Sequence, residues 1–373
     1  VRFGFTEEQE MIREMAVRFV EREVARNAGS LDEEEKFNRP LFDRMAELGF
    51  TGLPWPESDG GSGGGFLSFI MTLEEIARVS ASIGVVLWAH VYLSMWPIYR
   101  FGHEELKQLY IRKMIEGQLL GAGVLPQLMG ERRSTLHKGV IAKVEGNRYV
   151  LEGLEKYVVG ADNADVNVIY AEMFSDNSRK PKRYSAFLVE KGTPGLHILP
   201  VRRKLGLRST GMAHLKFEHC LIGKEQRIGD EGQGEEIARQ TSSSVRYGLA
   251  AIAAGIARGA ADLALAYAKV RTQFGKPIGK HQSIAFSLAD MDTAADASIL
   301  LAYQSAWRED QGLEDSNRSM MALSYASDAA VNSAISAVQI FGAYGYTKDF
   351  PVERFLRDAK TIQLIKGLDK ARR

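Results

Sequence analysis

The sequence predicts an α+β fold in three successive parts, helical, then β, then helical again, and three observations carry that expectation. Apolar residues recur at helical spacing through the first 120 or so positions. From about Gly121 the texture changes to short alternating runs punctuated by Gly, Asn and Pro, and this ends near Gly232. Beyond it the helical period returns and holds to the last residues. Domains are therefore expected over 1–120, 121–232 and 233–373.

Each element follows from local pattern. Thr6 with Gln9 makes a capping-box pair, and Met11, Ile12, Met15, Ala16, Phe19, Val20 and Val24 then fall on one helical face. A long amphipathic helix opens the chain. Further helices are expected over residues 42–48, 66–79 and 104–115, separated by Pro54, Pro56 and the glycine-rich loop 59–65. In the middle part, strands are expected over 149–152, 166–170, 185–189 and 196–199. Four helices then follow, over 245–271, 285–307, 321–342 and 352–367. No repeat and no low-complexity segment interrupts this order.

Composition narrows the class. The chain has 373 residues, 45% of them apolar, enough for two or three domains with sizeable cores. Lys+Arg 48 against Asp+Glu 47 gives a formal charge of +1, so no global field draws in nucleic acid or an anionic membrane. Cys220 is the single cysteine, which excludes an internal disulfide and a cysteine-rich metal site. The charged N-terminal stretch and the lack of an uninterrupted apolar run of spanning length lead to the expectation of a cytoplasmic protein without membrane attachment.

Three local features have bland and functional readings. The glycines of 60–65 follow no strand and lack the Lys-Ser/Thr of a phosphate loop, so a flexible turn is expected. His214, His219 and Cys220 lie in a strand of period two and do not converge on one face, so no metal site is expected. His90, among aromatics in WAHVYLSMW, reads as a core residue before it reads as a base.

The stretch from Gln339 to Leu368, QIFGAYGYTKDFPVERFLRDAKTIQLIKGL, resembles the C-terminal signature of acyl-CoA dehydrogenases, whose usual form ends in Tyr-Glu-Gly-Thr. The likeness extends over nearly the whole chain through GLPWPESDGGSGG, FLVEKGTPGL, KLGLRST, LKFEHCLI and RTQFGKPIGKHQ, in the family's order. It implies an N-terminal α-helical domain, a middle β-barrel or sandwich domain and a C-terminal four-helix bundle, assembled as dimers or tetramers around FAD. In the family an Arg-x-x-Phe-Gly motif and a Gln-Ile-x-Gly-Gly turn reach the adenine and pyrophosphate of a neighbouring subunit's flavin. Here these are Arg271, Phe274 and Gly275 with Gln282 behind them, and Gln339, Ile340 and Gly342, with Ala343 in place of the second glycine. An arginine fork suits a pyrophosphate because it makes charge-assisted bidentate bonds.

The ring-holding and catalytic positions depart from the pattern. The family's glutamate base corresponds to Lys366, which at a reference pKa near ~10.4 is a cation at neutral pH. The alternative base position, just before an arginine early in the third domain, holds Val245, followed by Arg246. Ser243 stands where an Asp often helps hold the CoA arm, so Arg246 and Ser243 are the expected substrate-side residues. Val159 and Leu368 replace flavin-bonding threonines, and Tyr157 retains an aromatic face. The resemblance thus implies no catalytic residue at either usual position. The expectation is a degenerate subunit that completes the FAD site of a catalytic homologue, with acyl-CoA or acyl-carrier thioesters and an electron-transfer flavoprotein as the family's partners. Two alternatives stay open: an FAD enzyme with a relocated base, Glu131 or His90, and a flavin-free binding or scaffolding protein.

Overall fold

The computed structural model describes residues 4–125, 139–175, 183–313 and 315–370, with backbone alone over 366–370. Thr6 does cap α1 (Glu7–Phe19): its Oγ1 accepts from Gln9 N at 3.2 Å, and Gln9 Oε1 accepts from Thr6 N at 3.0 Å. The helix runs on through a π-helical turn at Val20–Val24 into α2 (Ala25–Glu34). Asn38 caps α3 (Arg39–Glu47), with Pro40 in the first turn where its missing N–H is harmless. Then come α4 (Gly65–Ala77), α5 (Ala81–Trp88), α6 (Trp96–Phe101) and α7 (Glu104–Ile115). The sequence pattern did not separate α5 and α6: α5 is buried on every side and carries no amphipathic period, and α6, six residues long, is too short to show one.

The middle part is one hydrogen-bonded sheet. Its strands are β1 (Gly121–Gly123), β2 (Ile141–Glu145), β3 (Arg148–Val158), β4 (Val166–Met173), β5 (Tyr184–Glu190), β6 (Leu196–Pro200), β7 (Ala213–Gly223) and β8 (Arg227–Ile228). Their order is β6-β7-β3-β2-β4-β5-β8, with β1 parallel to β4. Gly123 lets β1 lie against the π-helical turn Ala89–Met95, since a Cβ there would meet Leu93 O at 2.3 Å.

The third part is built from α8 (Gly234–Val270), α9 (Gln282–Asp310), α10 (Ser316–Phe341) and α11 (Val352–Lys370). Helix α8 begins well before the expected residue 245. The polar run ahead of it is accommodated within the helix, where Thr241 and Ser242 satisfy their hydroxyls on Ile237 O and Ala238 O, each at 2.7 Å. Asp310 at the end of α9 accepts from Phe66 N (2.7 Å) and Leu67 N (3.0 Å), so it caps α4 from across the fold. Among the described residues two helical stretches, Ala81–Phe101 and Gly234–Val270, are long and apolar enough to cross a membrane; all of the first window and 72% of the second are buried inside the protein.

Candidate functional site

The helical bundle gathers the predicted flavin-facing residues at one end. Tyr267 in the last turns of α8 stacks on Phe341 at the end of α10, ring centroids 4.2 Å apart and planes 15° apart. The stack places the C-termini of α8 and α10 side by side, and the N-terminus of α9 joins them through a short hairpin. That hairpin, β9 (Thr272–Gln273) and β10 (Lys276–Pro277), turns on Phe274 and Gly275, both at positive φ (52° and 77°). Two such residues make the tight turn whose twist matches antiparallel strands. Phe274 is thereby thrust out and is 93% exposed.

Arg271 sits at the start of this hairpin, exposed, with its own N–H on Tyr267 O at 2.9 Å. Gln282, Gln339 and Gly342 are exposed at the same end. Gly342 has φ 60° and ψ −130°, a conformation reserved for glycine, yet a Cβ there would meet nothing within 4 Å. Open space around a glycine with free conformational reach fits a backbone that another molecule approaches closely. The five residues fit the adenine and pyrophosphate side of a dinucleotide: a cation, an aromatic face, two amides and a bare backbone turn.

The opposite half of the expected site is different in kind. Val245 is fully buried in α8, where its carbonyl accepts from Trp88 Nε1 at 3.1 Å. Arg246 is 5% exposed and donates to Ser316 Oγ at 2.9 Å. Ser243 is half-buried, donating to Ser319 Oγ at 3.4 Å. The neighbouring Ser244 donates to Glu309 at 2.8 Å, and Glu309 also accepts from Trp96 Nε1 at 3.1 Å. Sequence reasoning missed Glu309, since only the crossing of α8 and α9 brings it to the turn of Val245. Lys366 and Leu368 lie in the last turns of α11, with side chains outside the described residues, as is the whole of Glu131.

His90 is overturned as a relocated base. It is fully buried; Gly121 N donates to its Nδ1 at 2.9 Å, which leaves the proton on Nε2, and that nitrogen donates to Met114 O at 3.1 Å. Burial pushes its pKa down to about 4. With its one lone pair engaged it is a structural pin between the π-helical turn and β1. Among the carboxyls that burial raises, Glu74 goes up to about 7 and Asp358 up to about 6. Both serve packing: Glu74 accepts from Tyr303 Oη, and Asp358 accepts from Leu207 N at 2.6 Å. Among the described residues no group of three or more His, Cys, Asp or Glu could hold a metal ion.

Tyr157 does present its ring. It is 55% exposed, at φ 58°, next to Val159, which is buried and bridges Gly123. The aliphatic Val159 supplies no hydroxyl to a ring edge.

Three family profiles match the chain: acyl-CoA dehydrogenase, N-terminal domain, over residues 6–118; middle domain, over 134–220; and C-terminal domain, over 232–373. An acyl-CoA dehydrogenase of Bacillus subtilis is 39% identical over 369 residues, 99% of this chain and 96% of that one. A short-chain specific acyl-CoA dehydrogenase of Clostridium acetobutylicum is 38% identical over 371 residues, covering 100% of this chain and 97% of the relative. Among solved structures, a chain from work on the electron transferring flavoprotein of Acidaminococcus fermentans superposes with a TM-score of 0.92 at 38% identity, covering 98% of this chain and 96% of that one.

Proposed function

Because this chain belongs to the acyl-CoA dehydrogenase family, we propose that it is a subunit of an FAD-dependent acyl-thioester dehydrogenase and completes the flavin site of a catalytic homologue. One observation carries this reading: the five residues matching the family's reach into a neighbour's flavin stand exposed at one end of the bundle, while neither usual base position holds a carboxylate. Arg271 would hold the pyrophosphate, Phe274 and Gln282 the adenine side, and Gln339 with the Gly342 turn the remaining phosphate edge. FAD, the flavin of this family, supplies hydride acceptance when bound. This chain's own contribution is to bind and orient.

Val245 cannot take a proton, and Lys366 does so only if burial removes its charge. Arg246 and Ser243 are the residues proposed to face the CoA arm. The substrate class inferred from the Clostridium relative is a short acyl thioester, and an electron-transferring flavoprotein is the acceptor suggested by the Acidaminococcus structure. Residues 1–120, 121–232 and 233–373 are taken as the three domains. Co-expression with an acyl-CoA dehydrogenase homologue tests the reading: flavin should be retained by the mixed assembly and not by this chain alone. Full flavin and turnover in the chain alone would reject it.

A second reading has a specific observation behind it. Tyr157 keeps an exposed aromatic ring at the position where the resembled motif has a tryptophan, and this supports a chain that binds FAD itself and draws on a base outside the usual positions.

A further inference from the structure

The antiparallel pairing of β3 with β7 is interrupted twice, between Leu151 and Gly153 and again between Glu155 and Val158. Glu155 pairs with Leu215 and Val158 with Ala213, so Lys156 and Tyr157 together face the single residue His214. Two residues opposite one is a β-bulge, a device that re-aims a side chain out of the sheet's regular alternation. The bulge here is completed by an unfavourable choice: Tyr157, and not a glycine, takes the left-handed conformation at φ 58°.

His214 stabilises this arrangement in two ways. Its Nδ1 accepts the backbone N–H of Tyr157 at 3.0 Å, which satisfies the donor that the broken ladder would leave free. Its ring meets the tyrosine ring edge-on, centroids 4.8 Å apart at 84°. The backbone bond fixes the bulge, and the ring contact fixes the direction of the side chain. Burial and the nearby Lys156 ammonium both favour the neutral imidazole, the form with an acceptor at Nδ1.

We propose that His214 is a positioning residue: it holds Tyr157 in its strained bulge so that the tyrosine ring stands as a rigid wall for a planar heteroaromatic ligand in this chain's own cleft. The positioning relation rests on the geometry alone. The identity of the ligand rests on the second reading above, with the isoalloxazine of FAD as the ring.

Two substitutions separate the two contacts. His214→Asn keeps an acceptor at the Nδ1 position and removes the ring; His214→Phe keeps the ring edge and removes the acceptor. The full chain, labelled with 15N-tyrosine, reports hydrogen exchange at the Tyr157 amide. Protection should persist in wild type and His214→Asn and fall by about tenfold or more in His214→Phe. Unchanged protection in His214→Phe, or loss in both variants, overturns the proposal. In parallel, added FAD is titrated and its fluorescence quenching followed. Affinity should weaken roughly three- to tenfold in His214→Phe, and a Tyr157→Leu chain should lose quenching. If wild type binds no added FAD while the amide pattern holds, the ring-cleft reading fails and the positioning role stands; if FAD binds equally to all variants, the wall role is refuted.

Discussion

Tyr267 and Phe341 stack face to face at 4.2 Å, and that contact aligns the two helix ends from which Arg271 and Gly342 emerge. Phe350 closes on the same pair, 5.1 Å from Phe341 and 5.9 Å from Tyr267. Spacing between a cation and a bare backbone turn, the two features that would grip a dinucleotide, is thus set by an aromatic cluster behind them. Phe341→Leu keeps the position apolar and removes the stack. It should lower stability by about 0.5–1.5 kcal/mol, read by urea denaturation, and reduce flavin retention by a mixed assembly more than that loss alone explains.

Arg271 itself is exposed, so Arg271→Ala should leave stability within about 0.5 kcal/mol of wild type. A charge-assisted bond is worth about 1.5–3 kcal/mol, so the same change should weaken FAD retention by the assembly by roughly ten- to a hundredfold. Equilibrium dialysis of the assembly measures this; retention equal to wild type would remove Arg271 from the site.

The loop between β6 and β7 is tied to the C-terminal helix by Leu207 N on Asp358 Oδ1, at 2.6 Å, and by Arg357, which donates to Leu205 O at 3.0 Å. Burial raises the Asp358 carboxyl to about 6, above its unfolded value. A raised folded pKa means stability that is fully present below the unfolded value and is lost as pH rises through about 6. Asp358→Asn keeps an acceptor for Leu207 and does not ionise. Relative to wild type it should therefore gain stability as pH rises from about 4 to 6, whereas Asp358→Ala strands a buried donor and should cost about 1–3 kcal/mol. Denaturation curves across that pH range read both.

How much of this was legible in the sequence depends on the range of the interaction. Arg271, Phe274, Gln339 and Gly342 were named from the resemblance to the family's motifs; what adjacent residues themselves encode is the local shape around them, a two-residue turn and a helix end. The helices of the bundle were legible from their period, although the start of α8 was not, since its serines and threonines look like a loop until their hydroxyls find the preceding turn. Contacts between distant segments left no trace. Glu309 reaches Ser244 only because α8 and α9 cross, and His214 meets Tyr157 only because the β3–β7 register slips by one residue. His90 was ambiguous as a type; its two backbone partners, Gly121 and Met114, decide its tautomer and its role.

Tyr157→Gly separates stability from function. Relief of the left-handed backbone at an exposed site should stabilise the fold by about 1 kcal/mol, while loss of the ring should weaken any binding of added FAD. Thermal and chemical denaturation read the first effect; destabilisation would show that the tyrosine ring contributes more to folding than its backbone conformation costs.

Lys366→Glu restores a carboxylate in the last turns of α11 without altering Val159 or Leu368. Proton abstraction needs a base and a substrate held in near-attack geometry together, so this single change should not produce acyl-CoA oxidation by the isolated chain. Turnover in a dye-reduction assay would show that the ring side is complete as it stands.

A division of labour between this chain and a catalytic homologue is read from flavin content, measured by visible absorbance. The chain should be purified alone, purified with a co-expressed acyl-CoA dehydrogenase homologue, and purified with that homologue after Arg271→Ala. Little flavin is expected in the first, stoichiometric flavin per catalytic partner in the second, and depleted flavin in the third. Stoichiometric flavin with acyl-CoA turnover in the chain alone would contradict it.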